Sequence, residues 1–354
     1  MKILHCSDLH LGISLGSRTN EQGINLRVCD FLNTFDKVID YAIQEKVDLF
    51  MLLGDIFKNC IPSNLLQREF AKRVKRLSDA GILSFILIGN HDRPGVVHNA
   101  HSLELYRELQ IPNVIISDVP GVYTLNRNDK KLGILSLPYF FKDSFARYEK
   151  LINKFEKQEL DFKIIASHCM VQGSQMSNDY VCNEAEVHLD FFNRKVDYVG
   201  LGDIHKYQVL SDNPPVVYSG SLERNNFGET DEKGFVMIEL DKNKKASFKF
   251  IPLMTREYIS ISCVSEVQFN SFGKESIKDK IIRIALLDNF DVDEDKLKDA
   301  FYYEIVRVPA VHADVVISAT VSQNYLDVFS DYFKGHADKN ELLTRVTELQ
   351  KNVN

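Results

Sequence analysis

Short apolar runs recur along the first 250 residues, each closed by a polar cluster and most followed by a segment of helical period. "MKILHCS", "VDLFMLLGD", "ILSFILIGN", "FKIIASH" and "VDYVGLGD" have the length and branched-residue content of strands. Several are continuously apolar rather than alternating, which predicts sheets covered on both faces. "PSNLLQREFAKRVKRLSDAG" puts Leu66, Phe70, Val74 and Leu77 on one face and stops at Gly81, which predicts an amphipathic helix. The texture changes near residue 250. "REYISISCV", "KIIRIALL" and "YYEIVRVPA" read as strands, with "DEDKLKDAF" as a short helix between the last two. In "HADKNELLTRVTELQ", Asp338 with Glu341 makes a capping box, and Leu342, Leu343, Val346 and Leu349 form an apolar stripe. The pattern predicts an α/β protein. Layered β-sheets flanked by helices occupy residues 1–250, a small α+β module 251–322, and a helical tail 323–354.

Composition narrows the function classes. At 354 residues the chain is long for a single core, in keeping with a main domain and an appendage. Apolar content of 44% beside 26% charged residues is ordinary for a globular protein. No run approaches the roughly 20 apolar residues that a membrane span needs. "MKILHCS" enters a strand-like run directly, without a long hydrophobic region or small-residue cleavage site, so a cytoplasmic location is expected, that of the host if the source is viral. The six cysteines are scattered without a C-x-x-C pair, which fits reduced, buried thiols better than disulfides or a zinc knuckle. A formal net charge of −7 argues against bulk electrostatic coating of nucleic acid. If DNA is the substrate, local patches, metals or a partner must help.

The chemistry lies where the strands end. Asp8 and His10 stand in "SDLH", Asp55 in "GDIF", Asn90 and His91 in "GNHD", His168 in "ASHC", and Asp203 with His205 in "GDIH". Strand ends of this kind line the ligand crevice of an open α/β sheet. Taken singly, each residue has a structural reading: Asp55 as a turn or cap, "GNHD" as a tight turn, His168 as a satisfied buried histidine. Independent turn residues have no reason to assemble the whole set. Oxygen and imidazole donors without thiolate suit Mn²⁺, Fe²⁺ or Zn²⁺ in a working site. Two such cations roughly 3.5–4 Å apart can serve an in-line displacement at phosphorus.

The ordered series D-x-H, G-D, G-N-H-D, H and G-D-x-H resembles the metallophosphoesterase superfamily, and within it the SbcD-type DNA repair nucleases. "DLHLG", "GDIF" and "YSGSLERNNFGETDEKGFVMIEL" are similar to the nuclease branch in particular, whereas "FKN" at 57–59 departs from the D-R-G of the phosphatase branch. The resemblance implies a layered metallophosphoesterase fold whose α+β module caps the nuclease domain. It implies that Asp8, His10 and His205 hold one metal, that Asn90, His168 and Asp203 hold the other, and that Asp55 bridges. His91 is then the catalytic acid at the scissile phosphate, with Asp92 orienting or charging it. The implied activity is that of a DNA exonuclease and endonuclease using two Mn²⁺ ions, with Mg²⁺ as the alternative. It would act in DNA repair and recombination as a homodimer joined through helices near Leu66–Leu77 and Ser102–Leu109. Its C-terminal helices would grip an SMC-like (SbcC-type) coiled-coil ATPase, and any ATP work would belong to that partner, since this chain contains no P-loop motif.

One departure stands out. Asp203 occupies the place of a family histidine, so the second site is expected to persist with a harder ligand, altered metal preference and weaker Lewis acidity. The rival reading is a lost second metal and a weakly active or inactive DNA-binding scaffold; a small-molecule phosphodiesterase is the third. Among basic residues, Lys72, Arg73, Lys75 and Arg76 cluster on one helix, and Arg93 after "GNHD" is the expected DNA-backbone contact. His98 and His101 lie in the same connection, with a substrate or a surface role equally open.

Overall fold

The computed structural model describes residues 1–307, apart from 95–99, 128, 139–144, 179, 184, 186, 242–245, 264–265, 272 and 287–291. The expected tail at 323–354, with its capping box and leucine stripe, lies outside the described residues, as does His98. The chain divides into two compact units, one of Met1–Ser177 with Val181–Arg256, the other of Asn178–Tyr180 with the residues from Glu257 onward.

In chain order the strands are β1 Lys2–Cys6, β2 Leu49–Leu53, β3 Leu83–Leu87, β4 Val114–Ser117, β5 Gly121–Arg127, β6 Lys130–Leu137, β7 Phe162–His168, β8 Tyr198–Gly202, β9 Gln208–Asp212, β10 Pro215–Tyr218, β11 Lys233–Glu239, β12 Ser247–Leu253, β13 Tyr258–Cys263, β14 Ile281–Leu286 and β15 Tyr302–Arg307. The helices are α1 Leu26–Gln44, α2 Asn64–Asp79, α3 Glu104–Glu108, α4 Phe145–Glu156, α5 Glu266–Ser271 and α6 Lys274–Ile277.

The first unit holds two six-stranded sheets, ordered β12-β11-β1-β2-β3-β4 and β5-β6-β7-β8-β10-β9. β1 to β4 run parallel, as do β6, β7, β8 and β10, with antiparallel strands at the margins. One apolar core lies between the sheets, where Met51, Leu53 and Phe85 meet Ile134, Ile164 and Ala166. A second joins the first sheet to α1 and α2 through Phe31, Phe35, Phe70 and Leu77, and a third joins the second sheet to Tyr148 and Ile152 of α4. Strands buried on both faces need no polar alternation, so β2 reads as an unbroken "LFMLL". α2 follows the expected stripe, capped by Ser63, whose side chain accepts from the Leu66 amide.

Because β1, β2, β3, β7 and β8 all deliver their carboxyl ends to one edge of the sandwich, the five polar clusters converge there. In the second unit β13, β14 and β15 form a parallel sheet. Ile282, Ile284 and Leu286 pack there with Phe269, Ile277 and Leu297. The expected helix in "DEDKLKDAF" is a single 3₁₀ turn at Glu294–Leu297, capped by Asp293.

Candidate metal centre

The turns after the strands are built on backbone conformations that side chains normally avoid. Asp8, His10, Asp55 and Asp203 have φ of 53°, 45°, 53° and 96°. Non-glycine residues in this region cost roughly 1–3 kcal/mol each and collect at functional sites. The strain is held by pairing between the loops after β1 and β2: the amides of Asp8, His10 and Leu11 donate to the carbonyls of Gly54, Asp55 and Ile56 at 3.1, 2.9 and 2.9 Å. Gly54 is obligatory here, since a Cβ on it would lie 2.0 Å from His168 Nδ1.

These turns bring the expected ligands together. Donor atoms of Asp8, His10 and His205 lie within 4.8 Å of one another, and so do those of Asp8, Asp55 and His168. The Nε2 atoms of His10 and His205 face each other at 2.9 Å. Asp55 sits between the two groups, with Oδ2 3.6 Å from His10 Nε2 and Oδ1 3.4 Å from His168 Nε2. Asn90 Oδ1 is 3.0 Å from His168 Nε2, whose ring is fixed by its Nδ1 donating to the Leu53 carbonyl at 3.0 Å. Asp203 Oδ1 is 3.7 Å from the same Nε2, and Asp203 Oδ2 is buried without a hydrogen-bond partner. The Asp203 amide donates to both oxygens of Asp8, at 3.1 and 3.2 Å, which ties the "GDIH" turn to β1.

The electrostatics point the same way. Burial pushes the Asp55 carboxyl up, to about 8, with Asp92, Asp8 and Asp203 adding to it against the opposing pull of His168. Burial draws the His168 imidazole down, but Asp55, Asp203 and Asp8 outweigh it and lift it to about 9. His10 has no such compensation; burial, then its histidine neighbours, hold it well below the usual imidazole range. A cluster of carboxylates that draws protons to itself, with imidazole nitrogens aimed inward and an orphaned buried oxygen, is suited to divalent cations.

Residues 1–207 match the family model of the calcineurin-like phosphoesterases. The chain belongs to that family. Among curated proteins it is 28% identical to the uncharacterized metallophosphoesterase YhaO of Bacillus subtilis, over 71% of this chain and 60% of that one. It is 28% identical to the DNA double-strand break repair protein Mre11 of Methanosarcina mazei, over 74% of this chain and 40% of that one. It is also 27% identical to the SbcD component of the nuclease SbcCD of Staphylococcus saprophyticus, over 72% and 69%. The chain thus spans 60% and 40% of the first two relatives.

Within this phosphoesterase the remaining expected residues fall as follows. His91 lies at the rim with its side chain 37% exposed, Nδ1 3.0 Å from the Lys58 carbonyl and Nε2 3.9 Å from Asp55 Oδ2. Asp92, expected to orient or charge His91, is fully buried and turned away from that task. Its oxygens accept from the amides of Gly89, Ile56 and Phe57 at 2.9, 3.2 and 3.0 Å, so it staples the "GNHD" turn to the loop after β2. Arg93 is half-buried, and its Nη2 donates to the Asp118 carbonyl at 2.6 Å. The basic cluster on α2 is neutralised, with Arg73 and Arg76 both paired to Asp36, Lys72 to Glu69 and Lys75 to Asp79. His101 packs against Asp118 and Glu104 at 3.2 and 3.5 Å.

Two buried residues escaped the sequence reading. Glu229 Oε1 lies 2.8 Å from His205 Nδ1, and Lys233 Nζ lies 2.8 Å from Glu229 Oε2. With His205 and Lys233 against it, and burial opposing them, the Glu229 carboxyl is held down to about 2. "GETDEKG" reads as a solvated charged turn, and nothing in its composition separates Glu229 and Lys233 from their exposed neighbours. The one signal was their place in the 218–240 segment that resembles the nuclease branch.

Proposed function

We propose that the chain is the nuclease subunit of a DNA repair complex, hydrolysing phosphodiester bonds with two divalent cations, Mn²⁺ foremost. The observation that carries this is the placement of Asp55 between two donor sets, with His91 Nε2 3.9 Å from the same carboxylate. Asp8, His10 and His205 would hold one cation, Asn90, His168 and Asp203 the other, and Asp55 both. When bound, the two cations supply Lewis acidity to both sides of an in-line displacement at phosphorus. His91, backed by the Lys58 carbonyl, presents Nε2 at the open rim and gives a proton to the leaving oxygen. Burial lowers its affinity for that proton below the usual imidazole value, which favours transfer. Arg93 is the proposed backbone-phosphate contact. DNA rather than a small ester is supported by the similarity to Mre11 and SbcD. The proposal extends to a homodimer working with an SMC-like coiled-coil ATPase, as the resemblance of the sequence motifs implies.

The test is His91→Ala assayed on linear duplex in Mn²⁺, with metal uptake measured beside it. Cleavage should fall by about a hundredfold or more, roughly the worth of a positioned acid, while both ions still bind. Cleavage that survives the change removes the assigned acid. The scaffold reading is favoured by one feature, Asp203, and unmeasurable cleavage by the native chain would bring it forward.

A further inference from the structure

The three histidines proposed as ligands are backed in three different ways. Nδ1 of His168 faces a backbone carbonyl, Nδ1 of His10 is buried without a partner, and Nδ1 of His205 faces the Glu229 carboxylate at 2.8 Å. Only the last has a full negative charge behind it. Glu229 is in turn fixed at its other oxygen by Lys233, whose Nζ also donates to the His205 carbonyl at 3.0 Å. The three residues close a triangle in which the Glu229 and Lys233 side chains are 3% and 0% exposed. β11 opens at Lys233 and runs antiparallel to β1, so its first residue is delivered beside the turn that carries Asp8 and His10.

We infer that Glu229 is the positioning residue of the first metal site, held in place by Lys233, and that it makes the site of Asp8, His10 and His205 the tighter of the two. This rests on the two-cation reading above. A carboxylate accepting from Nδ1–H fixes the tautomer that leaves the Nε2 lone pair toward the metal and raises its donor strength, an effect worth about 10–100-fold in affinity. The second site receives no such support, because His168 backs onto the neutral Leu53 carbonyl.

The experiment is calorimetric Mn²⁺ binding to the full chain, native and as Glu229→Gln. Gln keeps an acceptor for Nδ1–H and removes the charge. The double variant Glu229→Gln/Lys233→Met removes both buried charges together, so no unpaired lysine remains. The two binding events are assigned with His168→Ala, which removes that of the second site. Both Glu229 variants should weaken the tighter event about 10–100-fold and leave the weaker one where it was. An unchanged tighter event, or equal weakening of both, overturns the inference. If neither variant unfolds cooperatively, ¹⁵N spectra of the native metal-free chain decide: His205 as the Nδ1–H tautomer supports Glu229 in this role, and Nε2–H overturns it. A native chain that takes up no Mn²⁺ overturns the two-cation reading and this inference with it. Two ions in the native chain and an unaffected Glu229→Gln overturn this inference alone.

Discussion

On the proposed reading, Asp203 changes the chemistry of the second donor set while leaving its frame intact. Its φ of 96° and its amide bonds to Asp8 keep the turn in place. Its shorter, charged side chain leaves Oδ1 3.7 Å from His168 Nε2. If Asp203 is a donor of the proposed second set, a second carboxylate there hardens it, so that set should prefer Mn²⁺ or Mg²⁺ over Zn²⁺ more strongly than with an imidazole. In competition calorimetry Asp203→His should shift the second site toward Zn²⁺ by about tenfold or more, a change of about 1.4 kcal/mol; an unaltered ratio would mean Asp203 contributes no donor atom. His5 offers a test that needs no metal. It lies fully buried with Nδ1 3.0 Å from Tyr198 Oη, and burial holds its pKa down to about 3. Between the unfolded value near 6.5 and that of the folded chain, the unfolded state binds the extra proton. His5 therefore costs nothing above about pH 6.5 and destabilises as pH falls toward about 3, by at most about 1.4 kcal/mol per pH unit. Denaturant melts at stepped pH should show His5→Asn with an acid limb flatter by about one proton.

At the scale of elements, what could be read in advance was what burial writes directly into the chain. β1, β2, β3, β7 and β8 are nearly or fully buried, so their apolar runs and polar ends were visible, and with them every proposed ligand. β5 and β9 mix half-buried and exposed positions with none fully buried, and they gave no comparable signal. Asp92 was visible as a residue and misjudged in role, because a carboxylate beside a histidine in sequence need not face it in space. Glu229 and Lys233 were hidden for a related reason: the residue both of them hold, His205, lies 24 and 28 positions away in sequence, beyond anything local sequence encodes. α2 and α3 bear on the proposed dimer. Tyr106 of α3 donates to the Gln67 carbonyl of α2 at 2.9 Å, while Ile61, Leu105 and Leu109 stand 86%, 48% and 62% exposed. Apolar side chains gathered around one helix pair are the material of an interface. Leu105→Asp/Leu109→Asp should convert the dimer to monomer in light scattering and leave metal uptake unchanged; a mass unaffected by the pair of charges would place the contact elsewhere.

For the molecule as a whole, a formal net charge of −7 constrains how the proposed DNA substrate is held. Duplex binding by basic proteins draws on counterion release, with affinity falling steeply as salt rises. Here the conspicuous basic stretch on α2 is consumed by Asp36, Glu69 and Asp79. The candidate centre adds Asp8, Asp55 and Asp203 at the point where the proposed substrate's phosphate would come to rest. A polyanion approaching that edge meets repulsion until cations reverse the sign, so the metals would be substrate-binding groups as well as catalytic ones. Fluorescence anisotropy with a labelled duplex should therefore find weak or unmeasurable binding by the isolated chain in EDTA. It should find clear binding in Ca²⁺ or in Mn²⁺ with the His91→Ala variant, which holds substrate without cutting it. The salt dependence should be shallow, because few lysine and arginine contacts release counterions. Strong metal-independent binding with a steep salt slope would show that a basic surface carries the DNA, and the cations would then be left with chemistry alone.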